Sequence, residues 1–269
     1  WEKSLPMVAR RADCYGLNER LLYDGSVLRE LKEDDIGALV SDLKKGNYDA
    51  IAVCLLFSFL NSSHELRLRD RLAVEMPNVP CSISSEVAPI WREYDRASST
   101  IADAFVKPVV SKYVEQLEVG LSKIELPASL MIMKSNGGMM SASSCSDAPI
   151  QSMMSGPAGG MIACQWIAEA LGVDKVLTMD MGGTSCDVGI IVNGQQKLTT
   201  QFEIEFGLTV SVPMIDIRTI GAGGGSIAWI DNGGFLQVGP RSAGAEPGPA
   251  CYALGGSVPT VTDANLALN

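Results

Sequence analysis

The sequence predicts an α/β fold with mixed sheets flanked by helices, and three observations predict it. The first is a strand–helix–strand order: the apolar run Asp49–Phe57, a helical pattern from Ser62, and a short apolar segment at Cys81–Ser84. An unbroken apolar run of that length suits a parallel strand covered on both faces. The second is Lys175–Gly194, where an apolar run ends on Asp180, turns at Gly182-Gly183-Thr184-Ser185, and resumes behind Asp187. The third is a set of glycine-rich turns, each adjoining an apolar element, the arrangement by which α/β folds place ligands at strand ends.

Each element follows from local signals. Asp24-Gly25 marks a hairpin turn. Ile36, Leu39, Val40 and Leu43 recur at helical spacing. Ser62-Ser63-His64-Glu65 reads as a capping box opening a helix to about Met76, which Pro77 and Pro80 end. With the flanking strands this is a β-α-β unit, for which a right-handed crossover and a parallel pair are the rule. Tyr94–Ile124 is a long helical stretch that Pro108 is expected to kink or divide. Ser129–Lys134 reads as a strand before the turn Ser135-Asn136-Gly137-Gly138. Ser155–Gly160 precedes an apolar helix, Met161–Leu171, and Asn193-Gly194 is a favoured hairpin pair. A third strand is expected near Lys197–Ile204, and a short helix from Thr262 closes the chain.

Composition limits the function. The chain has 269 residues, 46% of them hydrophobic, and a formal net charge of −10. That length suits two domains, or one and part of another, and that charge argues against binding nucleic acid or an anionic membrane surface. No window of eighteen apolar residues reads as a membrane span. The seven cysteines are scattered, odd in number and without a C-x-x-C pair, which fits a reduced, cytoplasmic protein. The single histidine, His64, leaves little room for a zinc site or a Ser-His-Asp triad. It is expected to be solvated on a surface helix.

The residues that carry chemistry lie in the second half. Glycines 182 and 183 let backbone N–H groups approach a phosphate, with Thr184 and Ser185 adding hydroxyls. Asp180 and Asp187 suit a hydrated Mg²⁺, which is usually held by one or two carboxylates plus phosphate oxygens. Asp180 is the stronger candidate, since an acid ending an apolar strand is costly without a partner; turn capping is the alternative for both. Three further turns are candidates for the same ligand: Asn136-Gly137-Gly138; the helix start containing Gly156 and Gly159, whose N–H groups suit an anion; and Gly221, Gly223, Gly224, Gly225 and Ser226, which leave a backbone surface open to a base or ribose. Alone, that last run would read as a flexible surface loop. Neither a Walker A sequence nor a G-x-G-x-x-G strand-to-helix turn is present. Cys186 reads as a packing residue, Arg92–Arg96 as a solvated helix start or an interdomain contact, and Asp263 and Asn265 as caps of the last helix.

Assembled in order, these segments resemble the hydantoinase A/5-oxoprolinase family, which also includes acetone carboxylase subunits. The resemblance rests on Ser84–Val87 with Arg92–Tyr94, Ser135–Ser141, Ser155–Gly160, Asp180–Asp187, Gly221–Trp229, Val238–Ala245, Pro247–Tyr252 and Pro259–Asn265. It implies the actin/sugar kinase/Hsp70 superfamily, with ribonuclease H-like halves and ATP between them. Asp180–Asp187 would be the second-half phosphate loop, and Gly221–Ser226 would lie on the nucleotide side. Residues 1–125 would be the carboxy-terminal part of the first domain and 126–269 the start of the hydantoinase A domain. The implied chemistry is ATP-dependent opening of a cyclic amide, with Mg²⁺, and a B-type subunit is the implied partner. An ATP-dependent ketone carboxylase subunit is the second reading, and a structural or partner-binding module the third. Two features depart from the family pattern. No Asp-x-Gly-Gly-Thr loop precedes residue 180, so the chain reads as an internal fragment, and Phe57 stands where the family often has His.

Overall fold

In the computed structural model, which describes residues 9–124, 128–205 and 208–268, the chain begins with a hairpin, a helix and the expected β-α-β unit. Strands β1 (Arg20–Leu21) and β2 (Val27–Arg29) pair antiparallel across the Asp24-Gly25 turn. Gly25 takes φ +82° there, and Asp24 accepts the Ser26 N–H at 2.9 Å. Helix α1 (Glu33–Leu43) opens on three acids, which the positive end of a helix favours. Strands β3 (Ile51–Val53) and β4 (Cys81–Ile83) are parallel, joined through helix α2 (Ser63–Glu75). Ile36, Val40 and Leu43 of α1 pack with Val53, Leu68, Leu72 and Ile83 in one core.

The start of α2 departs from the expected capping box. Ser62 makes no side-chain cap bond; Asn61 Oδ1 accepts the Ser63 N–H instead, at 3.1 Å. Glu65 does not reach back to the cap. It is fully buried and accepts the Leu55 N–H, the Ser84 hydroxyl and the Ser85 N–H at 2.7–2.8 Å. His64 is buried rather than solvated, with Nδ1 2.8 Å from Glu19 Oε2. The helix start lies under the first hairpin, so its polar side chains point into the protein.

Helix α3 (Ser84–Val87) leads to helix α4 (Glu93–Lys123), which runs through Pro108 without dividing. Proline removes one helical hydrogen bond, but α4 is anchored on both sides of it. Upstream, Arg96, Thr100 and Asp103 are buried. Downstream, Val114 packs with Met140, Ala142 and Cys145 of strand β6 (Met139–Ser141) and helix α5 (Ala142–Asp147); β6 pairs antiparallel with β5 (Met131–Met133).

Asp103 accepts the Ser82 hydroxyl at 2.6 Å and the Ile150 N–H at 3.0 Å, while burial pushes its carboxyl above the usual range. A raised folded-state pKa adds stability below the unfolded value of about 3.9, and that stability is lost as pH rises through the folded value. Asp103 should therefore contribute a downward slope to stability as pH rises above about 4, and in urea unfolding Asp103→Asn should lack that contribution. An unchanged slope in the variant would refute the assignment.

Helix α6 (Ser155–Leu171) begins six residues earlier than expected, so Ser155–Gly160 is helix and not a preceding turn. Strands β7 (Lys175–Met181) and β8 (Cys186–Val192) form the expected hairpin. The third strand expected near 197–204 is broken into β9 (Gln195–Gln196), β10 (Leu198–Thr199) and β11 (Phe202–Glu205). Strand β11 pairs with β12 (Leu208–Val210), and β10 with β13 (Met214–Ile215). Strand β14 (Ile217–Ile220) joins the main sheet in the order β14–β8–β7, with β9 on β8. Strands β15 (Ser226–Ile230) and β16 (Leu236–Ser242) form a hairpin before helix α7 (Val261–Leu268).

Two compact units result. The first runs through Ser155 and takes in Thr199–Met214; the second comprises Gly156–Leu198 and Ile215 onward. The domain boundary expected at 125–126 lies outside the described residues. Among the described residues, no helix is long and apolar enough to cross a membrane.

Candidate functional site

The site is built on the loop end of the β7–β8 hairpin. Asp180 pairs with Asp187, and Met181 with Cys186, and the turn closes through Gly182 N–H to Ser185 C=O at 2.9 Å. Alternation along a strand puts Thr178 and Asp180 on one face, with Asp187, Gly189 and Ile191 across from them. That face is the one under α6. Ile191 packs with Ala158 and Met161, and the Thr178 hydroxyl contacts the Met161 sulfur at 2.8 Å. The two acids therefore sit where the α6-covered face reaches its loop end. A Cβ at Gly160 of α6 would lie 3.9 Å from Asp180 Oδ2.

The acids have different surroundings. Asp187 is half-buried, and its Oδ1 accepts the Thr219 hydroxyl at 2.6 Å. Thr219 is its register partner on β14. Asp180 is exposed, and its carboxylate makes no hydrogen bond or ion pair among the described residues. Directly opposed like charges destabilise a strand pair unless something offsets them. No group of three or more His, Cys, Asp or Glu side chains suited to a metal occurs among the described residues. Two carboxylates, one without a protein partner, nonetheless fit a hydrated Mg²⁺, which takes few protein ligands.

The second glycine run is a brace for this loop. Gly224 N–H donates to Gly182 C=O at 2.8 Å, and Gly225 N–H to Gly183 C=O at 2.6 Å. Gly223 N–H donates to Ser226 Oγ at 2.8 Å, and Ser226 is fully buried. The Thr262 N–H and hydroxyl both donate to Gly224 C=O at 2.8 Å, fastening the run to the start of α7. Its backbone is thus turned onto the first loop instead of lying open to a base or flapping as a surface loop. The bracing uses carbonyls of the first loop and leaves amides over. The N–H groups of Gly183 and Thr184 have no acceptor among the described residues, which is the raw material of an anion-binding concavity.

The other predicted positions are placed differently. Gly156 and Gly159 lie in the first two turns of α6. Asn136, Gly137 and Gly138 belong to the first unit, at the β5–β6 turn, where Gly137 takes φ +84° and Asn136 Oδ1 accepts the Gly138 N–H at 3.0 Å. Asp263 does more than cap α7. It accepts the Thr260 and Cys251 N–H groups at 2.8 and 2.7 Å, and hydrogen bonds, those of Cys251 foremost, hold its carboxyl below the usual range. Thr219 and Thr262 were not expected at the site. Thr219 lies two residues before the Gly221 run on an alternating strand, and that spacing is the signal that would have found it.

Similarities to known proteins follow this layout. The family model described as Hydantoinase/oxoprolinase matches residues 96–269, and that described as Hydantoinase/oxoprolinase N-terminal region matches residues 5–76. The chain is 38% identical over 91% of its length to 5-oxoprolinase of Saccharomyces cerevisiae, covering 19% of that protein. It is 36% identical over 99% of its length to the acetophenone carboxylase gamma subunit of Aromatoleum aromaticum, covering 37% of it. The crystal structure of ATP-dependent caprolactamase from Pseudomonas jessenii superposes with a TM-score of 0.82 at 37% identity, over 100% of this chain and 39% of the other. The chain thus spans between about a fifth and two-fifths of the length of these relatives. The Hydantoinase/oxoprolinase model, matched over residues 96–269, and the N-terminal-region model, matched over residues 5–76, place this chain in the hydantoinase/oxoprolinase family.

Proposed function

We propose that this chain supplies a phosphate-binding part of an enzyme that couples ATP hydrolysis to the opening of a cyclic amide, of the hydantoin, 5-oxoproline or caprolactam type. The observation that carries the reading is the loop Gly182–Ser185. Its Gly182 and Gly183 carbonyls are committed to Gly224 and Gly225, while the Gly183 and Thr184 amides and the Asp180 carboxylate at its edge have no partner among the described residues. The amides would receive phosphate oxygens. Asp180 and Asp187 would hold a hydrated Mg²⁺, which would offset charge on the transferring phosphoryl group. Transfer of the γ-phosphoryl group to the amide oxygen, releasing ADP, makes the ring carbon electrophilic; water adds there, the C–N bond breaks with the nitrogen leaving as the amine, and a second water cleaves the acyl phosphate so formed to carboxylate and inorganic phosphate. The sheet and glycine loops also accord with ribonuclease H-like domains of the actin/sugar kinase/Hsp70 kind. Seven unpaired cysteines accord with a cytoplasmic setting, and a B-type hydantoinase subunit is the partner we propose.

A second reading, an ATP-dependent ketone carboxylase subunit, is favoured by the 36% identity to the acetophenone carboxylase gamma subunit. ATP turnover stimulated by a lactam supports the first reading; turnover requiring a ketone and bicarbonate supports the second. The phosphate site itself is tested by calorimetric titration of the chain with Mg-ATP. Asp180→Ala is expected to weaken binding about tenfold, roughly 1.4 kcal/mol. Equal affinity in the two proteins would remove Asp180 from the site. No binding by the wild type would leave the chain, taken alone, as a structural or partner-binding module.

A further inference from the structure

We propose that Thr219 is a positioning residue that divides the two carboxylates of the phosphate site into one fixed and one free; the proposal rests on the phosphate-site reading above. Strand register lines up three side chains across β14, β8 and β7: Thr219 opposite Asp187, and Asp187 opposite Asp180. Neighbours so paired have Cβ atoms about 4.5–5.5 Å apart, so all three act on the same small volume at the loop end of the α6-covered face. The Thr219 hydroxyl donates to Asp187 Oδ1 at 2.6 Å. That bond fixes the plane of the Asp187 carboxylate and leaves its other oxygen for a ligand.

Asp180 has no such tether among the described residues, and Gly160 of α6, where a Cβ would lie 3.9 Å from Asp180 Oδ2, carries no side chain to cover it. One acid is therefore preset and the other adjustable. A small cation that keeps most of its water needs that combination, a fixed ligand to define the site and a mobile one to complete it. The residue type at 219 fits the task. A β-branched side chain on a strand is stiff about χ1, so the hydroxyl of threonine points one way where that of serine would rotate.

The test is a titration of the 269-residue chain with Mn²⁺, an oxygen-seeking stand-in for Mg²⁺, following the loss of the free-ion signal by electron paramagnetic resonance. The wild type should show a site that Asp180→Asn removes. Thr219→Val, which keeps the shape and deletes the donor, should weaken it roughly 10- to 100-fold, as loss of an outer partner of a metal ligand does. Thr219→Ser should restore most of the affinity. Far-ultraviolet circular dichroism and the urea midpoint of Thr219→Val should match the wild type, which separates positioning from folding. If the wild type binds Mn²⁺ and Thr219→Val binds it equally well, the positioning role is refuted while the phosphate site stands. If the wild type shows no site, the two readings fall together.

Discussion

Replacing Arg96 by alanine should lower the stability of the first unit by about 3–5 kcal/mol, the cost of breaking a buried charge network by removing one member. Arg96 is 1% exposed. Its Nε donates to Ser84 Oγ at 3.2 Å, Nη1 to Ile90 C=O at 2.9 Å and Nη2 to Leu55 C=O at 2.8 Å. The guanidinium carbon lies 5.4 Å from the centroid of the Phe59 ring. Ser84 in turn donates to Glu65, and shares a 2.9 Å contact with the Ser58 hydroxyl. The cluster joins the carboxyl ends of β3 and β4 to α2 and α4. It also holds the turn after β3, where Phe57 adopts φ +59°, a backbone conformation that costs a bulky residue free energy unless its surroundings impose it. Alanine would strand the Leu55 and Ile90 carbonyls and remove the Arg96 bond to Ser84, the hydroxyl that donates to Glu65. Arg96→Lys keeps a charge but not the planar fork, so it should fall between the two. Urea unfolding followed by circular dichroism measures the series. A loss of less than about 1 kcal/mol for Arg96→Ala, within the range of ordinary surface substitutions, would show that the cluster is incidental.

The residues of that cluster mark where sequence reasoning runs out. The β-α-β unit, the β7–β8 hairpin and the Asn193-Gly194 turn from β8 to β9 were legible because their signals are local: apolar runs, period and turn pairs act over a few residues. Asn193 and Gly194 indeed take φ +54° and +69°, as a type I′ turn requires. Glu65, His64 and Arg96 were read as cap, solvated helix residue and solvated charge run, because a polar residue looks exposed until its partner is known. Those partners are distant in sequence: Leu55 lies 41 residues from Arg96, and Glu19 lies 45 from His64. The same limit applies at the candidate site. The hairpin with its two acids could be read from its own residues. The role of the Gly221 run as a brace could not, since it depends on Gly182 and Gly183 some forty residues away, and on Thr262 a further thirty-eight along.

That brace makes Gly223 the most sensitive glycine of the site. A Cβ there would lie 2.5 Å from the Ser185 nitrogen, 2.6 Å from the Thr184 carbonyl carbon and 2.7 Å from that of Gly183. All three are backbone atoms, so no side chain can rotate aside and the two loops must part. Parting them endangers the bonds from Gly224 to Gly182 and from Gly225 to Gly183. At about 0.5–1.5 kcal/mol each, with about 1–3 kcal/mol for overpacking, Gly223→Ala should destabilise the second unit by roughly 2–6 kcal/mol. It should also abolish Mg-ATP binding, because the loop that presents the Gly183 and Thr184 amides is shaped by those bonds. Gly183→Ala is the matched control. It adds the same methyl group to the loop itself, where nothing lies within 4 Å of the new atom, so the fold should tolerate it. Any loss of binding in that variant then comes from the methyl meeting the ligand. Amide hydrogen exchange reads the difference directly: Gly224 and Gly225 should stay protected in Gly183→Ala and exchange faster in Gly223→Ala. Equal protection in the two variants would mean that the loops are not held together by their close approach, and that the phosphate loop keeps its shape without the second glycine run.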